Sequence, residues 1–257
     1  MSSNNYQPTL VTVSSETISD AVRWVRNRIL YTTDRGQMNP REISERWDDG
    51  IMGEIASVAV MQFLKDKGRH VISYDQIRRD EYKEPDPGWD VLCSRHDFDE
   101  WLDTTDNVKI KPDNAHSFSI KSSRIPKADQ DDIHIAIQKR DFKIFKKSDS
   151  IDSDLTSDFE VQVYFSLNRS KYNENLVISI DEAMNGDIDL IIHRLKLIDR
   201  YGFCYLSGAA SRSTIINYSN SLPEKKRYWK SNHAGYEKHM WNAPLSLGVS
   251  FATITKL

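Results

Sequence analysis

The hydrophobic period of the chain changes along its length, and that alternation limits the folds open to it. In "SSETISDAVRWVRNRILYTTDRG", hydroxyl and acidic residues suited to an N-cap precede Ile18, Ala21, Val22, Val25 and Ile29 at helical spacing, which predicts a helix ending near Gly36. "NPREISERWDDGIMGEIASVAVMQFLKDKG" predicts a second, with Ile51, Ile55, Val58, Met61 and Phe63 or Leu64 toward the core and Gly68 as its stop. Short runs follow that read as strands: "HVISY", "WDVLC", "SFSIKSS", "DIHIAIQ", "DFEVQVYFSL" and "LVISI". A helix near "IDEAMNGDIDLIIHRLKLIDRYG" separates them from a last apolar run, "FCYLSGAA". Alternating helices and strands predict an α/β fold with a mixed core. From about Ser211 the pattern dissolves into polar, aromatic and basic residues.

There is no internal repeat, low-complexity tract or long Pro/Gly linker, so the 257 residues read as one compact domain with elaborations. Residues 1–45 form an N-terminal helical elaboration, 46–210 the core, and 211–257 a polar and basic C-terminal segment. No apolar run approaches the roughly 18 residues of a membrane span. The polar start "MSSNNYQPTL" lacks the basic and apolar regions of a secretory signal, and a cytoplasmic protein is expected. Cys93 and Cys204 each sit in an apolar strand-like run and are expected to be buried free thiols. A net charge of −3 argues against an indiscriminate polyanion binder, although a locally basic surface still suits nucleic acid.

The stretch "SFSIKSSRIPK" carries the first chemical signal. Lys121 shares one strand face with Ser117, Ser119 and Ser123, while Arg124 and Lys127 follow closely. Upstream, "EPDPGWDVLC" puts Asp90 at the start of another strand, 31 positions before Lys121 (121 − 90), and neighbouring strands would bring the two together. Glu54 is a carboxylate on an otherwise apolar helix, "GIMGEIASVAVMQFL". Acidic side chains with a nearby lysine are what metal-assisted phosphodiester hydrolysis requires. Carboxylates hold a hard divalent cation, and an ammonium orients water or stabilises charge developing on phosphate.

From Trp47 to Ser211 the chain resembles the PD-(D/E)xK nuclease superfamily, and within it the type II restriction endonucleases. The resemblance is carried by a helix with "GE", a strand beginning "GWD", a strand "SIKSS", then the apolar strand "EVQVYF" and a helix. It implies a central mixed sheet flanked by helices, Mg2+ dependence, double-stranded DNA as substrate and products with 5′-phosphates. By position, Asp90 matches the motif's aspartate, Lys121 its lysine and Glu54 the helix glutamate, so Asp90 and Glu54 are the expected metal ligands. Where the family most often has Asp or Glu, this chain has Ser119, expected to make a water or outer contact. The missing charge is assigned to Glu54, with Asp129, Asp131, Asp132 and Glu160 as alternatives. Asp86, in the literal "PD", is the alternative to Asp90.

The C-terminal segment suits DNA or dimer contact. Lys225, Lys226, Arg227 and Lys230 neighbour Tyr228 and Trp229, and Arg212 and Asn217 follow the last core strand. These, with Ser123, Arg124 and Lys127, are the candidate DNA contacts. His233 and His239 lack zinc-site companions, "LSGAASRS" lacks the G-x-S-x-G elbow, and no P-loop or G-x-G-x-x-G occurs. The expectation is a Mg2+-dependent, sequence-specific endonuclease acting as a homodimer, possessing a cognate DNA methyltransferase that modifies the same site. A structure-specific repair or recombination nuclease, or a non-catalytic DNA-binding or assembly protein with a degenerate site, remain the alternatives.

Overall fold

The computed structural model describes residues 8–32, 41–126, 133–167, 176–233 and 236–254. It is an α/β structure whose mixed sheet has six strands in the order β1-β6-β5-β4-β3-β2, flanked by helices.

β1 (Thr9–Thr12), a short edge strand with no clear sequence signal, precedes α1 (Ser15–Arg28). The Ser14 hydroxyl caps α1 by accepting the Thr17 N–H, and Ile18, Ala21, Val22 and Val25 are buried. The helix ends at Arg28, well before Gly36. α2 (Ile43–Asp66) buries Trp47, Ile51, Ile55, Val60 and Leu64. The stop at Gly68 has its reason in a left-handed φ of +75°.

Then come β2 (His70–Ser73), α3 (Tyr74–Ile77), β3 (Val91–Ser94), α4 (Asp99–Thr104) and β4 (Ala115–Pro126). "DIHIAIQ" is not a strand but contains α5 (Ile133–Gln138). Ile133 and Ile137, four apart, share a helical face toward the core while Ile135 stays exposed; so short a run fits either period. α6 (Ile151–Asp154) precedes β5 (Phe159–Leu167). "LVISI" forms no strand either. The Ser44 hydroxyl accepts the Ile178 N–H at 3.0 Å and donates to the Ile178 carbonyl at 3.1 Å, satisfying that backbone without a partner strand.

The helix expected over 180–202 is three: α7 (Ile180–Asn185), α8 (Ile188–Arg194) and α9 (Leu197–Tyr201). Any side chain at Gly186 would press on the Glu182 carbonyl, Asp187 caps α8, and Lys196 has a left-handed φ of +50°. β6 (Phe203–Ser211) closes the core strands. The tail is more ordered than its composition suggested, with α10 (Arg212–Ser221), a hairpin of β7 (Tyr228–His233) and β8 (Tyr236–Trp241), and α11 (Phe251–Ile254).

One core lies between the sheet and α1, α2 and α7 to α9; a second lies on the other face, where Phe142, Ile144, Trp241, Ala243 and Leu245 meet Tyr164 and Ala210. Residues before 46 and after 210 are thus built into the same two cores as the middle of the chain. Cys93 and Cys204 are buried free thiols, pushed up by burial to about 11 and about 12. Among the described residues no helix is long and apolar enough to cross a membrane.

Candidate active site

β3 is short and β4 is long, and the site forms where the first stops. The antiparallel pairing runs from Ser94↔Ala115 to Val91↔Phe118, after which β4 continues without β3 beside it. Asp90 sits at that break. Its N–H donates to the Phe118 carbonyl at 2.8 Å, and its Oδ2 accepts the Ile120 N–H at 2.5 Å, so the carboxylate takes the place of the missing strand. The approach to Asp90 is fixed by Gly88 at φ +91°, whose carbonyl accepts the Thr156 hydroxyl, and by the buried Trp89.

On the other side β5 runs parallel to β4, in a register that sets Ser119 against Glu160 and Lys121 against Gln162. Paired residues share a face. The Lys121 ammonium donates to the Ser119 hydroxyl at 2.7 Å and lies 3.6 Å from Asp90 Oδ2. Glu160 is only 6% exposed and accepts from the buried Ser157 hydroxyl at 2.9 Å. Burial pushes its carboxyl above the usual glutamate range; Asp90 adds to that, while Lys121 and the Ser157 and Ser119 hydroxyls oppose it. Lys121 therefore has a carboxylate on either side of β4, Asp90 at the entry to β3 and Glu160 on β5, a charge balance hidden in the linear sequence.

Glu54 is placed differently. α2 packs on the opposite face, against Phe118 and Ile120, because those residues alternate with Ser119 and Lys121. Glu54 Oε2 pairs with Arg28 at 3.0 Å, and Arg28 also holds Asp75 at 2.5 Å. Burial pushes the Glu54 carboxyl up against the pull of Arg28, with Asp75 and Asp90 adding to the rise. The carboxylate beside Ser119 is Glu160, and Glu54 reaches Asp90 through the field alone. Asp86 pairs with Arg78 at 3.1 Å. Asp129, Asp131, Asp132 and Lys127 lie outside the described residues.

Several candidate DNA contacts are engaged within the chain. Ser123 is buried and accepts from the fully buried Gln162 at 3.1 Å. Arg124 is clamped by Asp48 and Asp49, each at 2.7 Å, with the Tyr201 hydroxyl at 3.3 Å; burial opposes its charge, but these partners outweigh it and raise the guanidinium above its ordinary value. Arg212 bonds the Asp152 carbonyl and carboxylate, Arg227 the Leu222 carbonyl, and Lys230 the Glu237 carboxylate at 2.8 Å. Asn217, Lys225 and Lys226 are exposed. His239 contacts Glu237.

The donor set fits a hard divalent cation that keeps most of its water. Among the described residues no three His, Cys, Asp or Glu side chains form a ready cage. Asp90, at the entry to β3, and Glu160, on β5, instead offer two carboxylates on either side of β4, and one or two carboxylates are the usual protein share for Mg2+. Comparison with models of known families, with curated proteins and with solved structures finds no match.

Proposed function

We propose that the chain is a Mg2+-dependent endonuclease of double-stranded DNA, a member of the PD-(D/E)xK superfamily with a restriction-endonuclease-like fold. The observation that carries this reading is the cluster at the start of β3, where Asp90 and Glu160 flank Lys121 and Ser119 on one face of β4. Such a pair of carboxylates would hold Mg2+, which supplies phosphate polarisation and a more acidic water.

The chain's own residues supply the rest. Asp90, fixed by the Ile120 N–H, presents a carboxylate in one orientation. Glu160 brings the second negative charge, and its raised proton affinity makes the site complete only once that proton has gone. Lys121, steered by Ser119, points its ammonium at the place where a phosphate oxygen gains charge in the transition state or where water must be oriented. Ser119 positions Lys121. Its hydroxyl is a poor substitute for a carboxylate on a cation, and Glu160 removes the need for one.

Sequence specificity, 5′-phosphate products, action as a homodimer on a palindromic site and a methyltransferase partner belong to the same proposal. Digestion of an unmethylated phage genome by the purified protein, with Mg2+ and with EDTA, tests it. Discrete fragments with Mg2+ alone support a site-specific enzyme, a smear supports a structure-directed nuclease, and no cutting rejects catalysis.

A further inference from the structure

Lys143 is held against the edge of β4 one residue beyond Lys121. Its neighbours Phe142 and Ile144 are buried in the second core. The Phe142 N–H donates to the Ala243 carbonyl at 2.8 Å, and the Ile144 carbonyl accepts the Trp241 N–H at 2.9 Å. The Lys143 N–H meets Gln162 Oε1 at 3.4 Å, and its Nζ donates to the Ser122 carbonyl at 3.2 Å. The ammonium is thus anchored along the same strand edge that Asp90 caps at Ile120.

Cations outnumber acids around it. Asp49 from α2, Arg124 from β4, Arg140 from beyond α5 and Lys238 from β8 all act on the Lys143 ammonium. Asp49 is already shared between Arg124 at 2.7 Å and Arg41 at 2.9 Å. Among the described residues neither Lys143 nor Lys238 makes an ion pair. Two ammonium groups that each lack an ion pair repel one another, and an anion seated between them relieves that repulsion.

We propose that Lys143 and Lys238 form a phosphate subsite, holding a backbone phosphate of the nucleic-acid strand next to the one presented to Lys121. The identity of the anion rests on the nuclease reading; the subsite extends it to residues outside the basic run 225–230. The Lys143 side chain as a whole is exposed, but the atoms packed around its ammonium strip water from it and, with Arg124, Lys238 and Arg140, push it down to about 8 against the opposing pull of Asp49. Lys143 is therefore charged at neutral pH and loses its proton as pH rises through that value. Anion binding should weaken across the same interval.

The test is binding of a labelled DNA duplex in EDTA, by anisotropy, as a function of salt at pH 7 and pH 9, for the parent, Lys143→Met, Lys143→Arg and Lys238→Met. The parent should lose several-fold more affinity between the two pH values than Lys143→Arg, which stays charged. Lys143→Met and Lys238→Met should each flatten the log–log salt dependence by about 0.9. A parent slope retained in Lys143→Met overturns the subsite, as does a parent affinity flat from pH 7 to 9, a result independent of any variant's folding. The two readings fail separately. Cleavage by the parent with indifferent Lys143 variants removes the subsite alone, whereas Lys143-dependent binding without cleavage in Mg2+ removes the nuclease reading alone.

Discussion

At the scale of single residues, the account turns on which carboxylate stands beside Ser119. The Glu160 carboxylate shares that strand face with Lys121, and the Glu54 carboxylate is bound to Arg28 behind the sheet. Glu160→Gln should therefore abolish Mg2+-dependent cleavage, while Ser119→Ala should lower it by far less, because Lys121 keeps Asp90 as a partner. Mg2+ titrations of cleavage by the two variants check this, and equal losses would contradict it. Glu54→Ala should act on stability. It removes one of two carboxylates on Arg28, and because Asp75 stays, the loss should fall below the roughly 3 kcal/mol of a buried charge left unpaired. Urea unfolding should register that loss. Lys121→Ala should abolish cleavage yet leave duplex binding nearly unchanged, since its proposed work is in the transition state; comparable cutting rates would remove Lys121 from the chemistry. Proton linkage gives a test without substrate. Because Glu160 holds its proton more tightly folded than unfolded, the unfolded chain carries fewer protons across and just above the ordinary glutamate range, and stability falls as pH rises there. The parent should lose stability relative to Glu160→Gln over that interval and regain it with Mg2+. A pH-independent difference would mean that Glu160 is not held as a strained, buried acid.

At the scale of elements, the site depends on how the chain enters β3. Gly88 has a φ of +91°, and a Cβ there would lie 2.1 Å from the Thr156 hydroxyl oxygen. Gly88→Ala should cost at least about 1–2 kcal/mol in backbone strain, with the clash added. It should also displace Asp90, so activity should fall further than stability explains. Thermal unfolding and cleavage, measured side by side at a temperature where the variant stays folded, test that split. The same stretch shows what could be read in advance. The alternation of Phe118 and Ile120 with Ser119 and Lys121 revealed β4 and its polar face, and Asp90 was expected beside Lys121 on a neighbouring strand. Glu160 could not be singled out, because its place is set by the parallel register of β5 on β4, a long-range pairing that no local pattern encodes. Its one local sign was a carboxylate opening the apolar run "EVQVYF", with Gln162 on the same face. Arg124 looked available for DNA because its partners, Asp48 and Asp49, lie more than seventy positions away.

At the scale of the whole molecule, the two larger of the three buried clusters divide the labour. α1 and α2 cover one face, and the other carries the carboxylates, Lys121 and the C-terminal hairpin. That hairpin looked formless in sequence because its apolar residues are few, but Met240 and Trp241 are buried and dock it beside Phe142 and Ile144. One active site cuts one strand, so a two-fold dimer on DNA is expected; sedimentation of the complex should give two subunits per duplex, and one subunit would contradict it. The central claim is that Asp90, Glu160 and Lys121 form a Mg2+-dependent phosphodiesterase site. Its most direct test is digestion of an unmethylated phage genome by the parent and by Glu160→Gln under matched Mg2+. The account predicts discrete fragments from the parent, none in EDTA and none from the variant. Intact DNA with the parent, or the same fragments from both proteins, would contradict it.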